Sequence, residues 1–324
     1  MFVWQKLGRI FDPQTVYTLY WLKHFAQSPT LLKLGDRFRI FFSSRPDPDE
    51  FGNFVSYTGY LDLNKHDFFD IQCISAEPVL SLGKLGCFDE FGIYPACIVG
   101  HDNRYWLFYA GWTRCEAVPF NAAIGLAVSD DGQHFERLGD GPIISYSIDE
   151  PFVIGSPRVR IFNHQWYMWY SAGVEWLPAS LQCSRPEPIY KIRMAVSDDG
   201  INWLKQGKPV IPDILDEHEC QASADVTFFE GLYHMFFSYR YTTNFKNAAR
   251  GYRIGYAYSA NLYDWTRDDS KAGIKPSTTG WDAESVSYPH IFEHDNTLYM
   301  LYQGNGIGKT GFGLARLIDY KALK

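Results

Sequence analysis

One short pattern recurs five times along the chain and limits its fold more than any other feature. It is a small or aromatic residue, then Pro (once Asp), then a short apolar run leading into an aromatic stretch. The copies are Ser28-Pro29-Thr30, Tyr94-Pro95-Ala96, Ser156-Pro157-Arg158, Ala224-Asp225-Val226 and Tyr288-Pro289-His290. With anchors at 29, 95, 157, 225 and 289, the intervals are 66, 62, 68 and 64 residues. A period this constant marks stacked or radially repeated units, each too small to bury its own apolar face. After a polar hairpin, every anchor is followed by an aromatic run, at 38–43, 105–111, 166–173, 233–240 and 298–304. The pattern predicts an all-β, five-bladed β-propeller forming a single domain over 1–324, with blades near 28–80, 90–144, 150–212, 218–274 and 282–320.

Aromatic residues make up 17% of the chain, with Gly and Pro spread evenly, which favours short strands and tight turns over helices. A net charge of −7 argues against a general nucleic-acid binder, which needs a basic face to offset phosphate. Six cysteines, Cys73, Cys87, Cys97, Cys115, Cys183 and Cys220, show neither paired metal spacing nor a small disulfide framework, and read as buried reduced thiols. The N-terminus lacks the basic start and apolar run of a signal peptide, and no stretch approaches eighteen apolar residues. A cytoplasmic protein without membrane contact is expected, and no residue pattern calls for a cofactor or metal.

Two blades end in a turn and an outer strand, Ser129-Asp130-Asp131-Gly132 to Gly139 and Ser197-Asp198-Asp199-Gly200 to Gly207. Asp side chains close such turns on their own backbone while Gly supplies the conformational freedom, so both read as structural. Trp4-Gln5-Lys6-Leu7-Gly8 repeats the end of both stretches, whereas the fifth blade runs out of chain after its third strand. Residues 3–10 are therefore expected to supply the missing outer strand of blade five and close the ring.

In a propeller blade, the start of the inner strand and the end of the second strand meet at one rim of the central channel. The loops leading into inner strands carry Asp89 and Glu90, Asp149 and Glu150, His218 and Glu219, and Asp282 and Glu284. Carboxylates facing across a channel suit glycoside cleavage, where one acid protonates the leaving oxygen and a second activates water or attacks. Glu90, Glu219 and Glu284 are the candidate catalytic acids. The alternative is that such acids cap turns or pair with cations of neighbouring blades.

The ends of second strands carry Arg45, Trp112, Arg114, Glu175, Trp176, Arg240 and Asn305. Trp112 and Trp176 are candidate stacking platforms for a sugar ring. Arg45, Arg114 and Arg240, with Arg158 beside Pro157, suit recognition of a carboxylate or phosphate. Asp89, Asp225, His290 and Asn305 complete the candidate substrate-binding set.

The five-fold pattern resembles the five-bladed propellers of glycoside hydrolase families 43, 32 and 68. Trp4 to Phe11, Phe88-Asp89-Glu90, Tyr239-Arg240, Trp281-Asp282-Ala283-Glu284 and Gln303-Gly304-Asn305-Gly306 resemble an uncharacterised bacterial branch of that superfamily. The resemblance implies a carbohydrate-active enzyme, or else a non-catalytic module binding a sugar or nucleotide-sugar, in the setting of surface-polysaccharide assembly. The chain departs from family 43 at its three carboxylate positions. Carried over onto this sequence they fall on Ser28, Ser156 and Ser223, none of which can act as an acid or base.

Overall fold

The computed structural model describes residues 1–180 and 184–322. Its strands form five four-stranded antiparallel sheets. Strand β1 (Phe2–Phe11) stands first in the chain but belongs to the last blade. Blade one comprises β2 (His24–Lys33), β3 (Arg37–Arg45), β4 (Tyr57–Asn64) and β5 (Asp67–Ile74). Blade two comprises β6 (Gly92–His101), β7 (Arg104–Arg114), β8 (Phe120–Ser129) and β9 (Glu136–Arg137). Blade three is β10 (Ile154–Phe162), β11 (Gln165–Leu177), β12 (Glu187–Ser197) and β13 (Leu204–Lys205), and blade four is β14 (Glu219–Phe229), β15 (Leu232–Tyr241), β16 (Arg253–Ser259) and β17 (Thr266–Arg267). Blade five is β18 (Ser287–His294), β19 (Thr297–Gln303) and β20 (Phe312–Tyr320), with β1 pairing along β20 as the expected outer strand. Inner strands of successive blades touch, and β18 touches β2, so the ring is closed.

Alternation along the aromatic strands explains how blades pack. On β11, Trp166, Met168 and Tyr170 enter the core shared with blade two, while Tyr167 and Trp169 enter the core shared with blade four. Successive side chains of a strand point to opposite faces, so one strand serves two interfaces. Trp169 is completely buried, a contribution of about 3 kcal/mol. Ser129 and Asp131, and Ser197 and Asp199, bond to the backbone of their own turns as expected. Ser259 and Asn261 form a third turn of this kind in blade four.

The recurring anchor is a β-bulge on each inner strand. Ladder pairing skips two residues at Ser28-Pro29, Tyr94-Pro95, Ser156-Pro157, Ser223-Ala224 and Tyr288-Pro289. Ser28, Ser156, Ser223 and Tyr288 adopt left-handed φ angles of 51 to 53° there, and the Tyr94–Pro95 peptide is cis. This register corrects the sequence alignment of blade four, whose anchor is Ala224 and not Asp225. Asp225 instead matches Thr30, Ala96, Arg158 and His290, the residues that follow each bulge. The family 43 position assigned to Ser223 moves with it to Ala222, which still offers no carboxylate.

The cysteine expectation holds in part. Cys97 and Cys220 are buried, Cys87 and Cys115 are half-buried and Cys73 is exposed, all five free. Cys183 lies outside the described residues.

Candidate functional site

A cavity of about 540 Å³ opens at the channel mouth between blades one, two and three, within the range typical of ligand sites. Its floor is the bulge row, Tyr94, Ser156 and Tyr288, and its walls are the ends of second strands that the repeat predicted. Arg45 closes β3, while Trp112 and Arg114 close β7. The Trp112 indole is held by its Nε1 donating to Ser56 Oγ at 2.7 Å. Gly92 makes room for it, since a Cβ at that position would fall 1.7 Å from the indole nitrogen. Phe54, Phe120 and Tyr190 complete an aromatic lining.

The charge of this cavity is one-sided. Arg45, Arg114 and Arg185 line it, and among the described residues no Asp or Glu does. Arg114 reaches Asp49 at 3.5 Å and Arg185 reaches Glu187 at 3.6 Å, both at the limit of an ion pair. Arg45 has no carboxylate partner among the described residues, and its Nε is buried without an acceptor. It rests against the faces of Phe25 and Phe54, at 5.1 and 5.6 Å. Burial lowers the Arg45 guanidinium below its usual range, partly opposed by Tyr94. Burial likewise pushes the Tyr94 phenol up to about 12.

The acids predicted around the channel are outside the lining of this cavity, and most are bonded within their own blades. Asp89 holds Arg137 at 2.7 Å and accepts from Tyr109 Oη; Glu150 holds Lys205 at 2.7 Å and accepts from Tyr170 Oη. Glu219 holds Arg267 at 2.6 Å and accepts the N–H groups of Ile214 and Leu215, and Asp282 holds Lys6 at 2.6 Å and accepts from Tyr302 Oη. In each case the cation sits on the outermost strand of the same blade, so the pair ties the lead-in loop to the blade edge. Asp89, Glu150 and Glu219 are completely buried. Both Glu219 oxygens are thus occupied by protein groups. Glu284 is exposed, away from the cavity lining. Glu90 is half-buried, accepting from Gly86 N and from Thr113 Oγ1, and Thr113 lies between the lining residues Trp112 and Arg114. The three candidate glutamates are therefore not brought together.

Arg45, Trp112 and Arg114 are brought together in one cavity; the other substrate-binding candidates are placed outside its lining. Arg240 is buried, donates Nη1 to the carbonyls of Tyr241 and Thr242 and stacks on Phe245 at 3.8 Å. Asn305 begins the short helix α1 (Asn305–Gly308), and its side chain accepts from Glu284 N and Ser285 N, fixing a loop. Trp176 packs edge-on against Phe120. Asp225 and His290 face each other on neighbouring inner strands, with His290 Nδ1 3.2 Å from Asp225 Oδ2 and Arg160 Nη2 2.7 Å from the same oxygen. Burial alone would raise the Asp225 carboxyl, but Arg160, with His290 and Arg158, holds it well below the usual range. Arg158 crosses the channel beneath the cavity. Its Nε donates to Ser223 Oγ at 3.1 Å and its Nη2 to Ser28 Oγ at 3.3 Å. Two serines of the bulge row, Ser223 and Ser28, thus hold a guanidinium.

Sequence reasoning missed Tyr94, Tyr288, Tyr190 and Arg185. A signal existed for the first two, because a Tyr replaces the small anchor residue in blades two and five alone. Arg185 stands between β11 and β12, outside every repeated stretch that the sequence marks. Among the described residues, no group of three or more His, Cys, Asp or Glu is placed to hold a metal ion.

No protein-family model matches the chain. An uncharacterised protein of Mycobacterium tuberculosis is 33% identical over 317 residues, which is 97% of this chain and 99% of its own. The chain belongs to that protein's family. A beta-1,2-mannobiose phosphorylase of Thermoanaerobacter is 26% identical over 179 residues, 52% of this chain and 54% of that enzyme. A solved thermostable family-43 glycoside hydrolase superimposes with a TM-score of 0.66 at 14% identity, over 92% of this chain and 91% of its own. The fold is that of the five-bladed propeller glycoside hydrolases, as the resemblance implied.

Proposed function

We propose that this protein is a carbohydrate-active propeller whose ligand is anionic, a phosphorylated or uronic sugar held in the channel-mouth cavity. One observation carries the reading: among the described residues Arg45, Arg114 and Arg185 line the cavity, no carboxylate does, and Arg45 is without a carboxylate partner. Cations in a partly water-excluded site attract an anion more strongly than they would in bulk water. Trp112 and the tyrosines supply faces for the sugar ring.

Hydrolysis by two acids needs carboxylates roughly 5 to 10 Å apart around the scissile bond, and among the described residues the cavity lining has none. Transfer of the glycosyl group to phosphate needs only one proton donor and a cationic seat for the phosphate, and a phosphorylase stands among the relatives. The lining supplies the cationic seat but no carboxyl donor among the described residues, and Glu90 has both oxygens engaged, by Gly86 N and Thr113 Oγ1. The second reading, a non-catalytic binder serving polysaccharide assembly, is favoured by Ser28, Ser156 and Ala222 standing at the family-43 carboxylate positions. The free state of the five described cysteines supports a reducing, cytoplasmic setting.

Calorimetric titration with neutral hexoses, hexose 1-phosphates and uronic acids tests the ligand class. Salt-sensitive binding of the anionic sugars is expected, and binding of neutral sugars alone would overturn the reading. Turnover of a disaccharide with phosphate, abolished in Arg45→Ala with the fold intact, separates enzyme from binder.

A further inference from the structure

Below the cavity floor, the centre of the channel contains hydrogen-bond donors that the protein does not use. Arg158 is 1% exposed and spends two of its nitrogens on Ser223 and Ser28, but its Nη1 has no acceptor. Gln303 is completely buried, and its orientation is set because Oε1 accepts the Ser28 N–H at 2.8 Å. Its Nε2 consequently faces away from that bond and also has no acceptor. Both unspent donors therefore belong to side chains bonded to the same residue, Ser28. Arg158 forms no ion pair among the described residues, since the nearby Asp225 is engaged by Arg160. A buried cation with unpaired N–H groups is costly unless an acceptor is supplied.

We propose that the channel centre is a subsite for a tetrahedral oxyanion, seated on Arg158 Nη1 and Gln303 Nε2 beside the Ser28 hydroxyl. The ligand chemistry is that of phosphate, free or as the phosphoryl group of a sugar phosphate whose ring lies in the cavity above. Ser156 and Tyr288, which line that cavity, belong to the same bulge row as Ser28. This rests on the anionic-ligand reading and deepens it by assigning the charged group a second, inner seat distinct from Arg45. Serine at position 28 is essential to the assignment. An Asp there would put its own carboxylate against Arg158 and fill the seat from within.

The test compares wild type, Ser28→Asp and Ser28→Asn. Position 28 has a left-handed φ, which Asp and Asn tolerate better than other side chains. Inorganic phosphate is titrated by calorimetry and by thermal unfolding, alongside a hexose 1-phosphate and a uronic acid. Wild type and Ser28→Asn are expected to bind phosphate and to gain thermal stability from it. Ser28→Asp is expected to unfold at or above the wild-type temperature while binding phosphate at least ten-fold more weakly. Tighter binding of the hexose 1-phosphate than of phosphate identifies the sugar phosphate as the source, and equal binding identifies free phosphate. Failure of wild type to respond to phosphate, or equal binding by Ser28→Asp, overturns the inner seat. If anionic sugars still bind and depend on Arg45 in that event, the cavity reading survives without it; if no anionic sugar binds wild type, both fall.

Discussion

The loops leading into the inner strands and the centre of the channel are both rich in charge, yet the two regions use it in opposite ways. In blades two to five the lead-in acid meets a cation from the outermost strand, as Asp89 meets Arg137 and Glu219 meets Arg267. At the channel, Arg45 and Arg158 meet no carboxylate among the described residues, and the equivalent of Arg45 recurs as a cation only at Arg240 of blade four. A feature repeated in four blades must serve what those blades share, which is holding their own edges. A charge that breaks the five-fold pattern and stays unpaired has no such duty, so the site is found where the repeat fails.

The largest effect expected from this contrast is at the ring closure, where the N-terminal strand supplies both an edge and a clamp. Deleting residues 1–11 removes the pairing of β1 with β20, the burial of Phe2 and Trp4, and the Lys6–Asp282 pair. Loss of those two side chains alone is worth on the order of 5 kcal/mol, so the truncated chain should unfold far below the intact protein in a thermal scan. Equal melting would show that blade five closes without β1.

Next in size are the clamps. Glu219→Gln leaves the buried Arg267 with Asp269 as its remaining carboxylate, and a loss of about 3 kcal/mol is expected from urea unfolding. Anionic-ligand affinity measured on the folded fraction should be unchanged. A variant of full stability that loses ligand would move Glu219 from the clamp to the site.

Arg45→Ala should do the reverse. Removing an unpaired, partly buried charge should leave the unfolding temperature equal or higher, while affinity for an anionic sugar falls at least ten-fold, or about 1.4 kcal/mol. A pronounced drop in stability with unchanged affinity would make Arg45 a structural residue like Arg267.

The smallest expected effect is a pH dependence in the Asp225–His290 pair. Burial pushes His290 down to about 4 against the pull of Asp225. The unfolded chain then binds the proton more readily than the folded one. The resulting stability is complete above about pH 6.5 and is lost as pH falls toward 4. The depressed Asp225 adds a loss at still lower pH, below the usual carboxylate range. His290→Gln should flatten the change in urea midpoint between pH 7 and pH 5, and an unaltered slope would assign it to other groups.

Much of the architecture was legible because it is written locally and many times. The anchor period, the alternation of Trp166 to Tyr170 and the likeness of Trp4 to Gly8 to two outer strands each depend on short windows of chain. Even the one-residue error at Asp225 came from the blade whose anchor lacks Pro. The sequence also placed Arg45, Trp112 and Arg114 at the ends of second strands, which is where they line the cavity. What it could not disclose is which charge meets which. Glu219 meets Arg267 across 48 residues and Arg158 meets Ser28 across 130, distances over which no local pattern carries information. Identical lead-in acids look equally suited to catalysis until the outer strand is folded back to neutralise them. The periodic, short-range pattern of apolar and turn residues therefore determined the ring by itself. Only the tertiary structure decided the site, because a charge becomes functional or structural according to the partner that distant parts of the chain bring to it.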